Sequence, residues 1–162
     1  KGGGMITKIG NGCLFMVGSH IAHDCNISNN VILANNATLA GHVSIDENSI
    51  IGGLSAIHQF VRIGKYSMVG GMSGVEHDII PYGLYIGLRT KLRGLNIIGL
   101  KRKGLNSNHI SIIKKYYDLI FNKDNSLKKN IEKIDKKEIK INEVKEIINV
   151  ILQKSNRGIC VP

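Results

Sequence analysis

From Ile9 onward every sixth residue of this chain is apolar: Ile9, Phe15, Ile21, Ile27, Leu33, Leu39, Ile45, Ile51, Ile57, Ile63, Val69 and Val75. Apolar residues make up 43% of the chain, so an unbroken run of this length in one register arises by chance roughly 4 times in 100,000. The next position is often small (Gly10, Ala22, Ser28, Ala34, Ala40, Gly52, Gly64, Gly70), and the fifth is mostly small or β-branched (Cys13, Ser19, Cys25, Val31, Ala37, Val43, Ser49). A helix has no period of six, and a single alternating strand does not continue so far without turning. Short strands bent at regular corners do, each coil stacking its aliphatic residues on the next. Asn and Gly near the bends (Asn11-Gly12, Asn29-Asn30, Asn35-Asn36, Gly53) tolerate the left-handed backbone that corners need. The pattern is that of a parallel β-helix, in which Cys13 and Cys25 are core fillers rather than reactive thiols.

After Pro81 the period disappears, and Pro81-Tyr82-Gly83 with Gly87 reads as an exit loop. Beyond it the spacing turns helical. Asn106-Ser107 caps a helix through about Phe121, with Ile110, Ile113, Tyr117 and Ile120 on one face. Val144, Ile147, Ile148, Ile151 and Leu152 mark a second helix over 142–154, and 127–134 forms another. The chain therefore divides into residues 1–86, a β-helix carrying the chemistry, and residues 87–162, an α-helical unit.

The net charge of +10 is unevenly placed. Residues 1–80 hold four Lys/Arg against five Asp/Glu, while 81–162 hold 18 against 7. Arg89, Lys91, Arg93, Lys101, Arg102 and Lys103 form a run without an acid, suited to phosphate groups or an acidic protein. No nucleic-acid-binding module or interleaved aromatic set accompanies it. No apolar run is long enough to span a membrane. The segment Lys1-Gly2-Gly3-Gly4 is unlike a signal peptide, and the three cysteines (Cys13, Cys25, Cys160) have no metal spacing. Reduced thiols in the cytoplasm are the expectation.

The six-residue pattern resembles the hexapeptide-repeat acyltransferases, whose coils are left-handed and triangular with three hexads per turn. In such coils residues n and n+18 are neighbours. His23 then stacks beside Gly41 and Gly41 beside Gln59, while Asp24 stacks beside His42, with His58 adjoining and His20 a few residues earlier. A histidine, an adjacent carboxylate and a glycine N–H are the parts of a general-base site: the carboxylate supports the charged imidazole and the N–H steadies an oxyanion. Two other readings of these histidines exist. They could be surface residues of a non-catalytic scaffold. His20, His23 and His42 could also ligate zinc, as in the hexapeptide-repeat carbonic anhydrases.

The resemblance becomes specific in Gly18-Ser19-His20-Ile21-Ala22-His23-Asp24-Cys25, in Leu33-Ala34-Asn35-Asn36-Ala37-Thr38-Leu39-Ala40-Gly41-His42-Val43, in Ile57-His58-Gln59-Phe60 and in Gly99-Leu100-Lys101-Arg102-Lys103-Gly104. These segments resemble the acyl-carrier-protein–UDP-N-acetylglucosamine O-acyltransferases of lipid A biosynthesis. The resemblance implies transfer of a 3-hydroxyacyl chain from acyl carrier protein to the 3-hydroxyl of UDP-N-acetylglucosamine. It implies His23 as general base, Asp24 as its orienting carboxylate and the Gly41 N–H as oxyanion donor. It implies His20, His42, His58 and Gln59 as substrate-pocket residues, Asn96 and Arg102 as nucleotide contacts, and Gly71 as the position that fixes acyl length. It also implies a homotrimer with sites between subunits, working without metal or cofactor. Family members carry further coils ahead of the segment beginning here. The related sugar-nucleotide N-acyltransferase shares the hexads and a catalytic His, but the segment 99–104 and the helical tail favour the O-acyltransferase.

Overall fold

The computed structural model describes residues 4–135 and 139–162; residues 1–3, which open the first expected unit, and residues 136–138 lie outside the described residues. Each hexad becomes one strand of two residues. The first coil carries β1 (Lys8–Ile9), β2 (Leu14–Phe15) and β3 (His20–Ile21). The second carries β4 (Asn26–Ile27), β5 (Ile32–Leu33) and β6 (Thr38–Leu39). The third carries β7 (Ser44–Ile45), β8 (Ile50–Ile51) and β9 (Ala56–Ile57), and the fourth β10 (Arg62–Ile63), β11 (Met68–Val69) and β12 (Gly74–Val75). Each of the strands β1 to β9 pairs in parallel with the one eighteen residues on, as in Lys8↔Asn26, Ile32↔Ile50 and Ala56↔Gly74. This stacks three sheets into a three-sided parallel β-solenoid, with faces β1-β4-β7-β10, β2-β5-β8-β11 and β3-β6-β9-β12.

Two residues of each hexad point inward. The large apolar position is at most 2% exposed at Ile27, Leu33, Leu39, Ile45, Ile51, Ile57, Ile63, Val69 and Val75, and each such burial contributes about 1.5–3 kcal/mol. In the first coil Ile9 and Phe15 are 52% and 36% exposed. The fifth position fills the remaining space. Ser49 and Ser55 donate to the carbonyls of Gly64 and Gly70 at 2.9 and 3.0 Å. The thiols of Cys13 and Cys25 make the same contact with Ser28 and Ala40, at 3.2 and 3.3 Å. Burial raises the Cys25 thiol above its ordinary pKa, which fits an inert filler.

Corners recur every six residues in the left-handed region, at Gly12, Gly18, Asp24, Asn30, Asn36, His42, Asn48, Leu54, Phe60, Tyr66 and Met72. The corner next to Gly53 is made by Leu54, with φ 58°. A side chain in this region costs roughly 1–2 kcal/mol. The stacking itself enforces it, because each corner N–H bonds a carbonyl of the coil before, as Leu54 N does to Asn35 O at 2.9 Å.

Past β12 the rhythm shortens: Ile63 pairs with Ile79, and Met68 with Leu84, sixteen residues on instead of eighteen. The expected exit loop therefore contains strand β13 (Gly83–Ile86), and the start of the expected helical unit contains β14 (Lys91–Leu95), its antiparallel partner. The buried Tyr85 accepts the Ile80 N–H at 2.9 Å and closes this end of the core. Among the described residues four helices follow, α1 (Ile97–Arg102), α2 (Ser107–Ile120), α3 (Leu127–Glu132) and α4 (Asn142–Leu152). Asn106 caps α2 as expected, accepting the His109 N–H at 2.9 Å, whereas α1 was not foreseen. The helices dock through Glu146, which holds Lys65 Nζ at 2.7 Å and the Tyr82 hydroxyl, and through Glu143, which holds Lys103 and His109. Among the described residues no helix is long and apolar enough to cross a membrane.

Candidate active site

The corner between β3 and β4 carries His23 and Asp24; the same corner carries Gly41 and His42 one coil on, then Gln59 and Phe60. His23 Nδ1 lies 2.8 Å from Asp24 Oδ2. The His23 ring rests on Gly41: a Cβ there would be 2.7 Å from both Cε1 and Nε2. The bond from His23 holds the Asp24 carboxyl below its ordinary pKa against the effect of burial, helped by the Ile6 N–H. The carboxylate is shielded, with 11% of its side chain exposed, while the imidazole is 66% exposed. An ionised Asp24 accepts the Nδ1 proton and leaves the lone pair on Nε2, which is the form a general base needs. Among the described residues no hydrogen bond occupies the Gly41 N–H.

His42 completes the corner. Its Nε2 is 4.0 Å from Asp24 Oδ2, its ring meets His23 edge-on at 5.0 Å, and its other face stacks on Phe60 at 4.6 Å. His23, Asp24 and His42 offer ligand atoms within 4.8 Å of one another, the donor types of a zinc site, but Asp24 already accepts from His23. His20 is not part of that group; it lies on β3, level with Thr38 of β6. His58 and Gln59 sit at the corner in the third coil, where Arg157 of the C-terminal tail binds both.

The other predicted residues lie on different edges of the prism. Asn96 and Arg102 line a cleft of about 560 Å³ at the corner between β1-type and β2-type strands, beside Asn30, Asn48 and Tyr66. Asn96 also caps α1, accepting the Gly99 N–H at 3.0 Å and donating to Tyr66 O at 2.8 Å. Of the basic run, Lys103 is committed internally, paired with Glu143 and lying over the rings of Tyr66 and Tyr82 at 5.5 and 5.1 Å. Gly71 occupies the third corner, where a Cβ would come 3.2 Å from Gly53 O. The chain thus brings His23, Asp24, Gly41, His42, His58 and Gln59 together, and leaves Gly71 and the Asn96–Arg102 cleft on separate edges. Phe60 and Arg157 were not foreseen. Phe60 lies one coil beyond His42 and obeys the same spacing; Arg157 lies outside the repeat and has no such signal.

Residues 78–160 match the family model described as UDP N-acetylglucosamine O-acyltransferase, domain 2, and residues 6–41 match that of the bacterial transferase hexapeptide. The chain is 50% identical over 156 residues to an acyl-[acyl-carrier-protein]–UDP-N-acetylglucosamine O-acyltransferase of Thermodesulfovibrio yellowstonii, covering 95% of this chain and 59% of the relative. It is 51% identical over 157 residues to the enzyme of that name from Caulobacter vibrioides, covering 97% and 60%. A UDP-N-acetylglucosamine acyltransferase structure from Campylobacter jejuni superposes with a TM-score of 0.88 at 37% identity, over 99% of this chain and 62% of that one. The corresponding Arabidopsis structure gives 0.88 at 35% identity, over 94% and 56%. The chain thus spans about three-fifths of the length of the relatives it matches.

Proposed function

Because the chain belongs to the UDP-N-acetylglucosamine O-acyltransferase family, we propose that it transfers a 3-hydroxyacyl chain from acyl carrier protein to the 3-hydroxyl of UDP-N-acetylglucosamine, in the cytoplasm, at the start of lipid A synthesis. The observation that carries this reading is the His23–Asp24 pair seated on Gly41. His23 Nε2 takes the proton of the sugar hydroxyl as its oxygen attacks the thioester carbon. Asp24 supports the imidazolium that forms, and the Gly41 N–H donates to the carbonyl oxygen as it becomes an oxyanion. Collapse of that intermediate breaks the carbon–sulfur bond, and the proton held on His23 passes to the departing thiolate. These steps need no metal or cofactor.

Residues 1–86 supply the base in this reading, and residues 87–162 add Asn96 and Arg102 to a nucleotide cleft whose other wall is Asn30, Asn48 and Tyr66 of the coils. Arg102 and the members of the basic run other than Lys103 suit the diphosphate and an acidic carrier protein. The base and the cleft sit on different corners, so a site that uses both draws them from neighbouring copies, which favours a homotrimer. Gly71 leaves space for a longer hydroxyacyl chain.

The test is acyl transfer from hydroxyacyl carrier protein to UDP-N-acetylglucosamine, followed for wild type and His23→Ala side by side. Loss of a general base is expected to lower kcat by roughly 100-fold to 10,000-fold. Turnover undiminished in His23→Ala would reject the assignment. A donor series of graded length with Gly71→Met should shift preference toward shorter chains; an unchanged preference would remove Gly71 from that role.

A further inference from the structure

Arg157 reaches the catalytic corner across 98 residues of sequence: its Nε donates to the Gln59 carbonyl at 2.7 Å. Its Nη2 meets His58 Nδ1, and its own backbone carbonyl lies 2.6 Å from His77 Nδ1. A guanidinium has donors only and keeps its charge at every accessible pH. His58 Nδ1 must therefore be the acceptor of that contact, and its proton is placed on Nε2. A carbonyl has lone pairs only, so His77 carries its proton on Nδ1. The competing arrangement, His58 Nδ1–H donating to the Gln59 carbonyl, is longer at 3.3 Å. It also points a proton at the guanidinium, and that carbonyl already accepts from Arg157.

The tail holds its place without the Arg157 side chain. Ser155 Oγ donates to Asp78 Oδ2 at 2.7 Å, Asp78 N to Gly158 O at 2.9 Å and Cys160 N to Asp78 O at 2.8 Å. The side chain is therefore free to serve the corner. We propose that Arg157 is a positioning residue: it locks His58 in the Nε2–H tautomer, so that the corner presents an N–H donor, on the ring edge away from the guanidinium, to an oxygen of the bound substrate. The part played by that donor rests on the acyl-transfer reading above; the tautomer does not.

The experiment is long-range proton–nitrogen NMR on the full chain with ¹⁵N-labelled histidine, at a pH above the ordinary histidine range, with His58 and His77 assigned by His58→Gln and His77→Gln. The expected result is Nε2–H for His58 and Nδ1–H for His77. Arg157→Gln should turn the His58 signal into a tautomer average and leave His77 unchanged, which also reports that the tail is still docked. Arg157→Lys keeps the charge but not the fork, and should likewise release His58. In the transfer assay Arg157→Gln should lower kcat/KM about tenfold, the order expected for one misplaced hydrogen bond. A wild-type His58 protonated on Nδ1, or a His58 tautomer unchanged in Arg157→Gln, overturns the proposal, as does full kcat/KM after the tautomer is lost. A wild type that does not turn over would count against the acyl-transfer reading, while the tautomer measurement would still decide the role of Arg157.

Discussion

Gly41 lacks a side chain because of its neighbour. Its own backbone lies outside the left-handed region, and the His23 imidazole occupies the space a Cβ would need. The obstructing atoms belong to an exposed, movable ring, so Gly41→Ala should displace the ring and not the coil. Thermal unfolding should change by less than about 0.5 kcal/mol, while kcat/KM falls on the order of 100-fold, the effect of an ångström-scale shift of a catalytic group. A large loss of stability in that variant would mean that the glycine serves the fold. His23, Asp24, Gly41, His42 and Gln59 were legible in the sequence because one rule, a neighbour every eighteen residues, placed them. The same rule reaches Phe60, which is easily passed over as an apolar residue among polar ones. Arg157 was not legible, since the rule ends near Pro81 and nothing in the tail shows which coil it folds back upon.

At the scale of elements, α4 is fixed by a carboxylate with little access to water. Glu143 is 6% exposed. Burial alone would raise its carboxyl, but the bonds from Lys103 and His109 outweigh it and bring the pKa below the ordinary value. A pKa lowered by folding gives stability that is complete above the ordinary carboxylate range and is lost as pH falls through the folded value. Acid should therefore weaken the hold on α4, and Glu143→Gln should cost about 2 kcal/mol near neutrality. Urea denaturation at pH 7 and at pH 4 checks both; an identical dependence on pH in wild type and variant would contradict the assignment. The helices α2 and α4 were readable because their apolar residues keep helical spacing and α2 has an Asn cap. The strand β14 was masked: Leu92 and Leu95 face the core, but Lys91 and Arg93 between and beside them invite a reading as surface charge. The short α1 has too few residues for a period to register.

For the whole molecule, the proposed base His23 lies on one edge and the cleft lined by Asn96 and Arg102 on another, which has a direct consequence for mixtures if the proposed site is shared between copies. His23→Ala and Arg102→Ala should each be nearly inactive, yet their co-expression should recover activity, because some interfaces then join an intact His23 to an intact Arg102. Activity no higher than that of the separate variants would mean that each copy works alone.

The eighteen-residue register between coils also means that insertions and deletions are not equivalent. Removing one residue within the coils turns every later inward side chain toward solvent until a corner absorbs the slip. Removing residues 25–42 joins Asp24 to Val43, another fifth-position residue, so each lumen place stays filled and each corner stays a corner. The same excision slides Gln59 under His23 where Gly41 had been, and Phe60 under Asp24. Such a rod can change length in whole turns along much of its axis, but not between His23 and Gln59, where the proposed chemistry depends on which turn follows which.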